Sequence, residues 1–276
     1  MPLEPPPLAR RLASALSPPV RRALAGLWLD LTGLPARLAD PERRGEPWQV
    51  LHNVGGGDYR ATGEGVMRLL RRHAGLTADS RVLDIGCGTG RVAAHLAEAL
   101  SPQGAYTGFD VSLRAVGGCR RRFASTRPDF RFAHLDLANG EYNEAGGAAE
   151  TTARFPVDDG TVDVAFATSV FSHMRLPAIE AYLREAERTL SSAGRLLFTA
   201  YALTPLRREH SSLQAFGACS QVLDRGSPER MIAHDESALA SAISRAGLQL
   251  IHRDLGAWAR GSTYGDRQDL FVVARA

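Results

Sequence analysis

Glycines alternate with other residues directly after an apolar run that contains one acid. The run begins at Arg81 and ends at Ile85, and Gly86, Gly88 and Gly90 follow it. Glycine lets the backbone adopt positive φ angles and approach a ligand closely. Because a glycine-rich loop between a strand and a helix is typical of nucleotide sites, this stretch predicts a nucleotide-like ligand.

The spacing of the loop differs from that of dinucleotide-binding loops. Those loops have a third glycine where this chain has Arg91, and their helix N-terminus faces a pyrophosphate. Asp84, at the end of the predicted strand, directs a carboxylate into the loop. A carboxylate repels an anion and attracts an ammonium group. We therefore expect a ligand with an amino group near the loop and a ribose further on.

Two further acids end the next two predicted strands. Asp110 ends "GAYTGFD" and is suited to accept hydrogen bonds from ribose hydroxyls. Asp136, followed by Leu137, ends "FRFAHLD", where an adenine amino group can bind. An ordinary helix cap is the alternative for either carboxylate. Ligands of open α/β sheets lie beyond the carboxyl ends of the strands, so these acids predict one nucleoside site.

Helical and strand patterns alternate from residue 62 onward, which predicts parallel strands joined by crossover helices. The region from 202 to 234 has no clear periodicity, and long loops of this kind often form lids. The last two predicted strands are interpreted as an antiparallel pair at the end of the chain. Helices are predicted over 62–74, 91–100, 112–125, 176–190 and 236–247, and strands over 81–85, 104–110, 130–136, 161–169, 195–201, 248–255 and 269–275.

The first 50 residues are rich in proline and arginine and differ from the rest of the chain. Apolar residues recur at helical spacing between Pro19 and Pro35, which predicts one amphipathic helix. We favour packing of this helix on the main domain, with a dimer contact or a membrane surface as alternatives. The run of glycines from Gly55 to Gly57 predicts a hinge.

These patterns divide the chain into two parts. Residues 1–60 are predicted to form a helical cap with a glycine-rich hinge. Residues 61–276 are predicted to form the main domain, with 201–234 as a lid over the substrate.

Four successive segments resemble the motifs of class I S-adenosylmethionine-dependent methyltransferases. They are "VLDIGCGTGR", "YTGFDVS", "HLDLA" and "FPVDDGTVDVAFATSVFSH", and the resemblance covers about residues 62 to 276. It implies a Rossmann-like, doubly wound, mostly parallel α/β sheet of seven strands in the order 3-2-1-4-5-7-6, with the last strand antiparallel. It also implies S-adenosyl-L-methionine as cofactor and S-adenosyl-L-homocysteine as product.

The same resemblance implies which residues bind the cofactor. Arg60 is a further candidate, for the cofactor carboxylate, although a surface arginine is the alternative. The methionine end would contact Asp84, Gly86, Gly88, Gly90, Thr168 and Ser169. The nucleoside would contact Asp110 and Val111 at the ribose and Asp136 and Leu137 at the adenine.

Methyl transfer is an in-line displacement, so the protein mainly aligns the reactants and excludes water. A hydroxyl acceptor benefits from a base, whereas a neutral amine needs none. Residues just after strands four and five should face the acceptor, which makes His173 a candidate base and Tyr201 a candidate for orienting the acceptor. Capping or packing is the alternative for His173. In the lid, His210 and His234 are candidates to supply polar points in an otherwise apolar wall.

The absence of several known motifs narrows the chemical classes of methyl acceptor. Strand four is not followed by the Asn-Pro-Pro-Tyr run of adenine methylation or the Pro-Cys of cytosine-C5 methylation, and the paired-glutamate loop of arginine methylation is absent. Asp158 and Asp159 are interpreted as turn residues, so no metal is predicted. A small-molecule O-methyltransferase is favoured. N-methylation, cofactor binding without transfer and a nicotinamide-dependent redox enzyme are the alternatives.

Composition sets the outer bounds. Basic residues number 33, all of them arginine, against 30 acidic ones, and a net charge of +3 does not require a nucleic-acid partner. The three cysteines lie far apart in sequence, which fits a reducing compartment. No apolar run approaches the about 20 residues of a membrane span. We therefore expect a cytoplasmic protein whose partner is a small-molecule acceptor, and the sequence gives no oligomeric state.

Overall fold

The computed structural model describes residues 18–40, 46–51, 58–258 and 268–276. The helices are α1 (Pro18–Ala39), α2 (Tyr59–Leu69), α3 (Arg91–Ala99), α4 (Leu113–Phe123), α5 (Leu176–Thr189), α6 (Pro205–His210) and α7 (Glu236–Arg245). A π turn spans Leu70–Ala74, and short 3-10 turns span Gln49–Leu51, Glu150–Thr152, Phe171–His173 and Pro228–Arg230.

The strands of the described residues include the seven that the sequence predicts and five short ones that it does not. They are β1 (Arg81–Ile85), β2 (Ala105–Asp110), β3 (Arg131–His134), β4 (Leu137–Ala138), β5 (Ala148–Ala149), β6 (Val162–Ala167), β7 (Leu190–Leu203), β8 (Gln214–Ala215), β9 (Ser220–Val222), β10 (Ile232–Asp235), β11 (Leu248–Asp254) and β12 (Asp269–Arg275).

The central sheet has the predicted Rossmann-like order. Its strands lie side by side as β3, β2, β1, β6, β7, β12 and β11. The first five are parallel, and β12 runs antiparallel between β7 and β11. With β6, β7, β11 and β12 counted as strands four to seven, the order 3-2-1-4-5-7-6 and the antiparallel last strand are confirmed.

The aperiodic region after β7 contains strands that the sequence analysis missed. β7 runs on to Leu203, whereas its pairing with β12 stops at Ala200. The last residues of β7 pair in parallel with β10, and β9 and β8 follow in antiparallel order. These strands are too short for an alternating pattern to be visible, which is why the sequence looks like a loop.

Two helix starts illustrate local capping. α2 begins at Tyr59, three residues before the predicted start, because the Asp58 side chain accepts a hydrogen bond from Ala61 N–H at 2.9 Å. α7 begins after Asp235 as predicted, but that side chain does not cap the helix. Its carboxylate instead accepts a hydrogen bond from Arg208 Nη1 at 2.8 Å.

Helices cover both faces of the sheet. The α5 and α7 face covers Leu83 and Ile85 of β1, whereas the α2, α3 and α4 face covers Val82. Because side chains alternate along a strand, Asp84 shares the face of Val82. The Asp84 side chain therefore lies among the side chains that pack under α2, α3 and α4.

The amphipathic helix in the N-terminal part is present as α1, with Pro35 inside it. Gln49 and Val50 fold back and donate their N–H groups to the Asp30 carboxylate at 2.7 and 2.9 Å. Six apolar side chains of α1 are 43 to 60% exposed, so the structure does not bury them against the main domain; they are Val20, Leu24, Leu27, Trp28, Leu31 and Leu38. Leu29 and Leu34 are half-buried.

The predicted hinge at Gly55 to Gly57 lies outside the described residues. None of the described helices combines the length and the apolar character that crossing a bilayer demands.

Candidate functional site

The glycine loop after β1 adopts a conformation that only glycine tolerates well. Gly86, Gly88 and Gly90 have φ angles of 75°, 52° and 79°. A Cβ atom on Gly86 would lie 2.5 Å from Cγ2 of Val170, and one on Gly90 would lie 2.9 Å from the Phe123 ring. Gly86 and Gly90 are therefore required both by backbone angle and by space, and Gly88 is required by backbone angle.

Asp110 is fixed by two backbone donors. Gly88 N–H donates to its Oδ2 and Ser112 N–H to its Oδ1, each at 2.8 Å. Burial raises the pKa of Asp110, and these hydrogen bonds act in the opposite direction. Each carboxylate oxygen retains a further lone pair for a ligand hydroxyl. The neighbouring Val111 is half-buried, and His134 Nε2 lies 3.1 Å from its carbonyl oxygen.

Asp84 has surroundings that the sequence analysis did not foresee. Its side chain is 3% exposed, and the Tyr106 hydroxyl donates to its Oδ2 at 2.9 Å. Burial raises the pKa of Asp84 to about 8, so the carboxyl is mainly protonated at neutral pH. The expected charged carboxylate directed into the loop is instead a neutral group packed beneath it. Strand alternation, described above, is the reason.

The adenine pair is divided between surface and core. Asp136 is exposed, and Asn143 Nδ2 donates to its Oδ1 at 3.0 Å. The Leu137 side chain is buried, and its N–H donates to the Leu135 carbonyl at 2.8 Å. The Asp136 carboxylate is thus the member of the pair that faces solvent.

Ser169 marks the carboxyl end of β6. It has a φ angle of 57°, which is strained for a residue with a side chain and is frequent at functional sites. Its N–H donates to Thr199 Oγ1 at 2.8 Å. Thr168 beside it is half-buried.

Gln268 connects the ends of β6 and β7. Its Nε2 lies 3.2 Å from Ser169 Oγ, 3.4 Å from Ser172 Oγ and 3.5 Å from the Tyr201 hydroxyl. The sequence analysis missed Gln268. The signal was available in the topology, because the start of an antiparallel β12 must lie at the carboxyl edge of the parallel strands.

Tyr201 is held by an aromatic contact. Its ring meets that of Trp258 edge-on, with centroids 5.1 Å apart. The Trp258 Nε1–H donates to Asp269 Oδ2 at 2.8 Å, and Asp269 forms a buried ion pair with Arg207 at 2.7 Å. The predicted orienting residue therefore lies on a rigid support beside Gln268.

His173 is oriented by the region after β7. Its Nδ1 lies 2.7 Å from the Glu229 carbonyl oxygen, which can only accept, so Nδ1 carries the proton. In the neutral ring Nε2 is then an acceptor, and it lies 3.4 Å from the Tyr142 hydroxyl. The two rings meet edge-on with centroids 5.2 Å apart. This is the tautomer that a base acting through Nε2 requires.

A carboxyl that titrates near neutral pH lies beside His173. Asn139 Nδ2 donates both to Glu150 Oε1 at 2.8 Å and to the His173 carbonyl at 3.2 Å. Burial raises the pKa of Glu150 to about 7, with the Asn139 hydrogen bond acting against it. Glu150 lies in a segment that the sequence analysis treated as a polar loop, and burial of a loop carboxyl has no local sequence signal.

Two lid candidates have structural contacts. His234 is 1% exposed, with Nε2 at 2.9 Å from the Met174 carbonyl and Nδ1 at 2.8 Å from Ser220 Oγ. His210 is exposed, and its Nδ1 lies 2.9 Å from the Leu206 carbonyl. His234 therefore anchors β10 to the residues after β6 and does not face a ligand.

Comparison with known proteins identifies the family. A family model described as a methyltransferase domain matches residues 83–196, which carry the glycine loop, Asp110, Asp136 and the end of β6. Residues 83–196 therefore form a methyltransferase domain, of the kind found in the class I S-adenosylmethionine-dependent methyltransferase family. S-adenosylmethionine is the cofactor of that family.

Individual relatives are distant from this methyltransferase-family chain. A fatty-acid O-methyltransferase from Mycolicibacterium smegmatis is 29% identical over 119 residues, which are 43% of this chain and 36% of that protein. The chain spans no more than 36% of the length of the curated relatives considered.

Solved structures share the fold at low identity. An S-adenosylmethionine-dependent methyltransferase from Mesorhizobium loti aligns with 79% of this chain and 100% of its own, at 15% identity and a TM-score of 0.54. The 4+2 cyclase SpnF aligns with 87% of this chain and 76% of its own, at 20% identity and a TM-score of 0.51.

One buried arginine beside the glycine loop was not among the binding residues named from the sequence. The Nε and Nη2 atoms of Arg91 are buried and have no hydrogen-bond partner among the described residues. Burial lowers the pKa of Arg91, while the charge of Glu46 acts in the opposite direction. Buried donors without partners are costly, so an anion here is favoured. The sequence analysis used Arg91 only to exclude a dinucleotide.

Arg60, the sequence candidate for that carboxylate, lies in the first turn of α2. His95 Nε2 lies 3.2 Å from its carbonyl oxygen. The neighbouring Tyr59 hydroxyl donates to the Thr89 carbonyl of the glycine loop at 3.0 Å. α2 is thereby fixed to the loop, and the choice between Arg60 and Arg91 is open to experiment.

Proposed function

We propose that this protein transfers a methyl group from S-adenosylmethionine to an oxygen atom of a small molecule. The observation that carries the proposal is the fixed carboxylate of Asp110 beside a loop of three glycines with positive φ angles. A carboxylate in this position suits the two hydroxyls of a ribose, and the bare loop suits the close approach of the methionine part.

Four residues of the chain would hold the cofactor. Asp110 would accept hydrogen bonds from the ribose hydroxyls, and Asp136 would accept one from the adenine amino group. Arg91 would donate to the carboxylate, and Ser169 would contact the methionine end. The cofactor supplies an activated methyl carbon, so the chain mainly has to align the acceptor and keep water out.

We further propose His173 as the base for a hydroxyl acceptor. Its Nδ1 proton is held by the Glu229 carbonyl, so Nε2 is the acceptor atom of the neutral ring, and it lies 3.4 Å from the Tyr142 hydroxyl. Nε2 would take the acceptor's proton. Tyr201 and Gln268 would orient the acceptor from the neighbouring strand end. A correctly oriented base typically contributes about 100-fold or more to the rate.

The acceptor is proposed to have an apolar part. The relative from Mycolicibacterium smegmatis is named for fatty-acid substrates. In this chain the apolar side chains of α1 are exposed, and the charge of Glu46, in the segment that folds back toward α1, acts on Arg91 beside the glycine loop. Residues 1–60 would then form a cap and residues 201–234 a lid over an acceptor with apolar surface.

The proposal is tested by incubating the full chain with S-adenosylmethionine labelled with 13C at the methyl group. Candidate acceptors are fatty acids of increasing length, long-chain phenols and matched amines, and mass spectrometry detects the labelled product. Formation of an oxygen-methylated product together with S-adenosylhomocysteine is expected. Transfer to nitrogen alone would overturn the choice of oxygen.

A second candidate function is chemistry on a bound small molecule without methyl transfer. The likeness to the cyclase SpnF favours keeping it, because that solved structure has this fold and a different activity in its name. Fold alone does not determine function. This candidate predicts cofactor or product binding with no labelled methyl group on any acceptor.

A further inference from the structure

A group of two histidines and one aspartate lies away from the carboxyl edge of the sheet. The rings of His73 and His252 stack with centroids 4.2 Å apart and planes inclined by 16°. His252 Nε2 lies 3.0 Å from Asp254 Oδ2. One ligand atom from each of these side chains lies within 4.8 Å of the others, and all three side chains are half-buried. We name this group the His73 cluster.

Two backbone irregularities bring the cluster together. His73 lies in the π turn of Leu70–Ala74, which ends at Gly75 with a φ angle of 74°. Its carbonyl accepts a hydrogen bond from Arg195 Nη1 at 3.1 Å. His252 follows a register shift between β11 and β12. π turns and bulges both redirect side chains and are frequent at functional positions.

The chemistry of the three groups is that of a metal site. The three side chains offer two imidazole nitrogens and one carboxylate oxygen within 4.8 Å of one another. Imidazole nitrogens and carboxylate oxygens are ligands that Zn²⁺ binds in proteins.

We propose that His73, His252 and Asp254 bind a divalent zinc ion. Their partial exposure leaves the remaining coordination positions open to water. The ring planes have to rotate so that one nitrogen of each ring points to the ion, a small adjustment for half-exposed side chains. The ion would join the end of α2 to β11 and thereby fix the segment before β1 to the C-terminal strands.

The test uses the full chain, treated with a chelator and then titrated with ZnCl₂, and records both calorimetric binding and Tm. A binding event of one ion per chain and a Tm rise of about 5 °C at a 100-fold excess over Kd are expected. MgCl₂, which prefers oxygen ligands, should give neither.

Variants locate the ion. His252→Gln and Asp254→Asn should each weaken zinc binding by about tenfold or more. His210→Gln, which alters an exposed histidine elsewhere, and Cys219→Ser should bind zinc as the wild type does. The Tm without zinc shows whether each variant is folded, and two different ligand variants guard against a folding defect in one.

Equal zinc affinity in His252→Gln, Asp254→Asn and the wild type would overturn the proposal. Loss of binding in Cys219→Ser or His210→Gln would also overturn it, since the ion would then lie elsewhere. Neither result depends on methyl transfer, so the zinc proposal and the proposed function are tested independently of each other.

Discussion

Gly88 donates its backbone N–H to Asp110 Oδ2 across 2.8 Å, which joins the loop after β1 to the carboxylate that ends β2. Ser112 N–H holds the other oxygen from the start of α4. Two neighbouring strand ends therefore share one fixed carboxylate. A carboxylate fixed in advance loses little further freedom when a ligand binds, which favours affinity.

Replacing Asp110 should weaken the binding of S-adenosylhomocysteine. Loss of charged hydrogen bonds of about 1.5 to 3 kcal/mol corresponds to about a 10- to 100-fold higher Kd for Asp110→Ala, measured by calorimetry. Asp163→Ala is the matched control, because that carboxylate pairs with Arg81 near the amino end of β6. An unchanged Kd in Asp110→Ala would remove the ribose assignment.

Arg91 and Arg60 can be distinguished with two ligands. Arg91→Met should raise the Kd of S-adenosylhomocysteine by about tenfold or more, because a charged partner of the carboxylate is lost. It should leave the Kd of methylthioadenosine unchanged, since that compound lacks the amino acid part. Arg60→Met is the control and should affect neither. If Arg60→Met weakened S-adenosylhomocysteine binding and Arg91→Met did not, Arg60 would be the partner of the cofactor carboxylate.

Gly86 should not tolerate a side chain. Its φ angle of 75° and the 2.5 Å approach of a Cβ to Val170 predict that Gly86→Ala lowers the free energy of unfolding by about 1 to 3 kcal/mol. Gly118→Ala in α4 has no neighbour within 4 Å and should stabilise by about 0.4 to 1 kcal/mol. Chemical denaturation measures both. Equal stability of the two variants would contradict the loop geometry.

Asp84 should make stability depend on pH. Its pKa is raised to about 8 in the folded chain, above the ordinary value of 3.8, so the folded state binds more protons between these values. The stabilisation that follows from this shift is complete below about pH 4 and is lost as pH rises through about 8. Over that range the free energy of unfolding falls by up to about 1.4 kcal/mol per pH unit.

The Asp84→Asn variant isolates this dependence, because it removes the one titratable group in question and keeps a side chain of the same shape. Denaturant unfolding of both proteins at pH values from about 5 to about 9 gives the difference between their free energies of unfolding. The wild type should lose stability relative to the variant as pH rises. A difference that is constant with pH would mean that Asp84 is ionised in the folded protein.

His173 should affect turnover more than binding. His173→Gln is expected to lower kcat about 100-fold for a hydroxyl acceptor with little change in KM, because the base is lost and the cofactor contacts remain. Tyr142→Phe keeps the aromatic contact and removes the hydroxyl beside Nε2, and it should lower kcat far less. Comparable kcat in His173→Gln and the wild type would assign His173 to packing between β6 and the region around Glu229.

The sequence was sufficient for the parts of the fold that local periodicity encodes. Alternation of strand and helix patterns identified β1, β2, β3, β6 and β7, and the acids at the ends of the first three lie toward one edge of the sheet. β8, β9 and β10 were missed because two to four residues are too few to show a period. Their existence depends on the unpaired end of β7, which is a tertiary property.

The candidate site was predicted where a motif carries the chemistry and missed where tertiary contacts do. Gly86 and Asp110 were proposed from the spacing of the motifs and from the family resemblance, and their contact with a cofactor stays a prediction. Tyr106 was missed because its contact with Asp84 depends on which face of the sheet each side chain shares. Gln268 and Arg91 were missed because proximity and burial, not residue type, make them notable.

The most direct test of the account is a crystal structure of the chain with S-adenosylhomocysteine. We predict the ribose hydroxyls within hydrogen-bond distance of both Asp110 oxygens and the amino acid part over the loop from Gly86 to Gly90. Density for the ligand at any other surface, or a ribose out of reach of Asp110, would contradict the central claim.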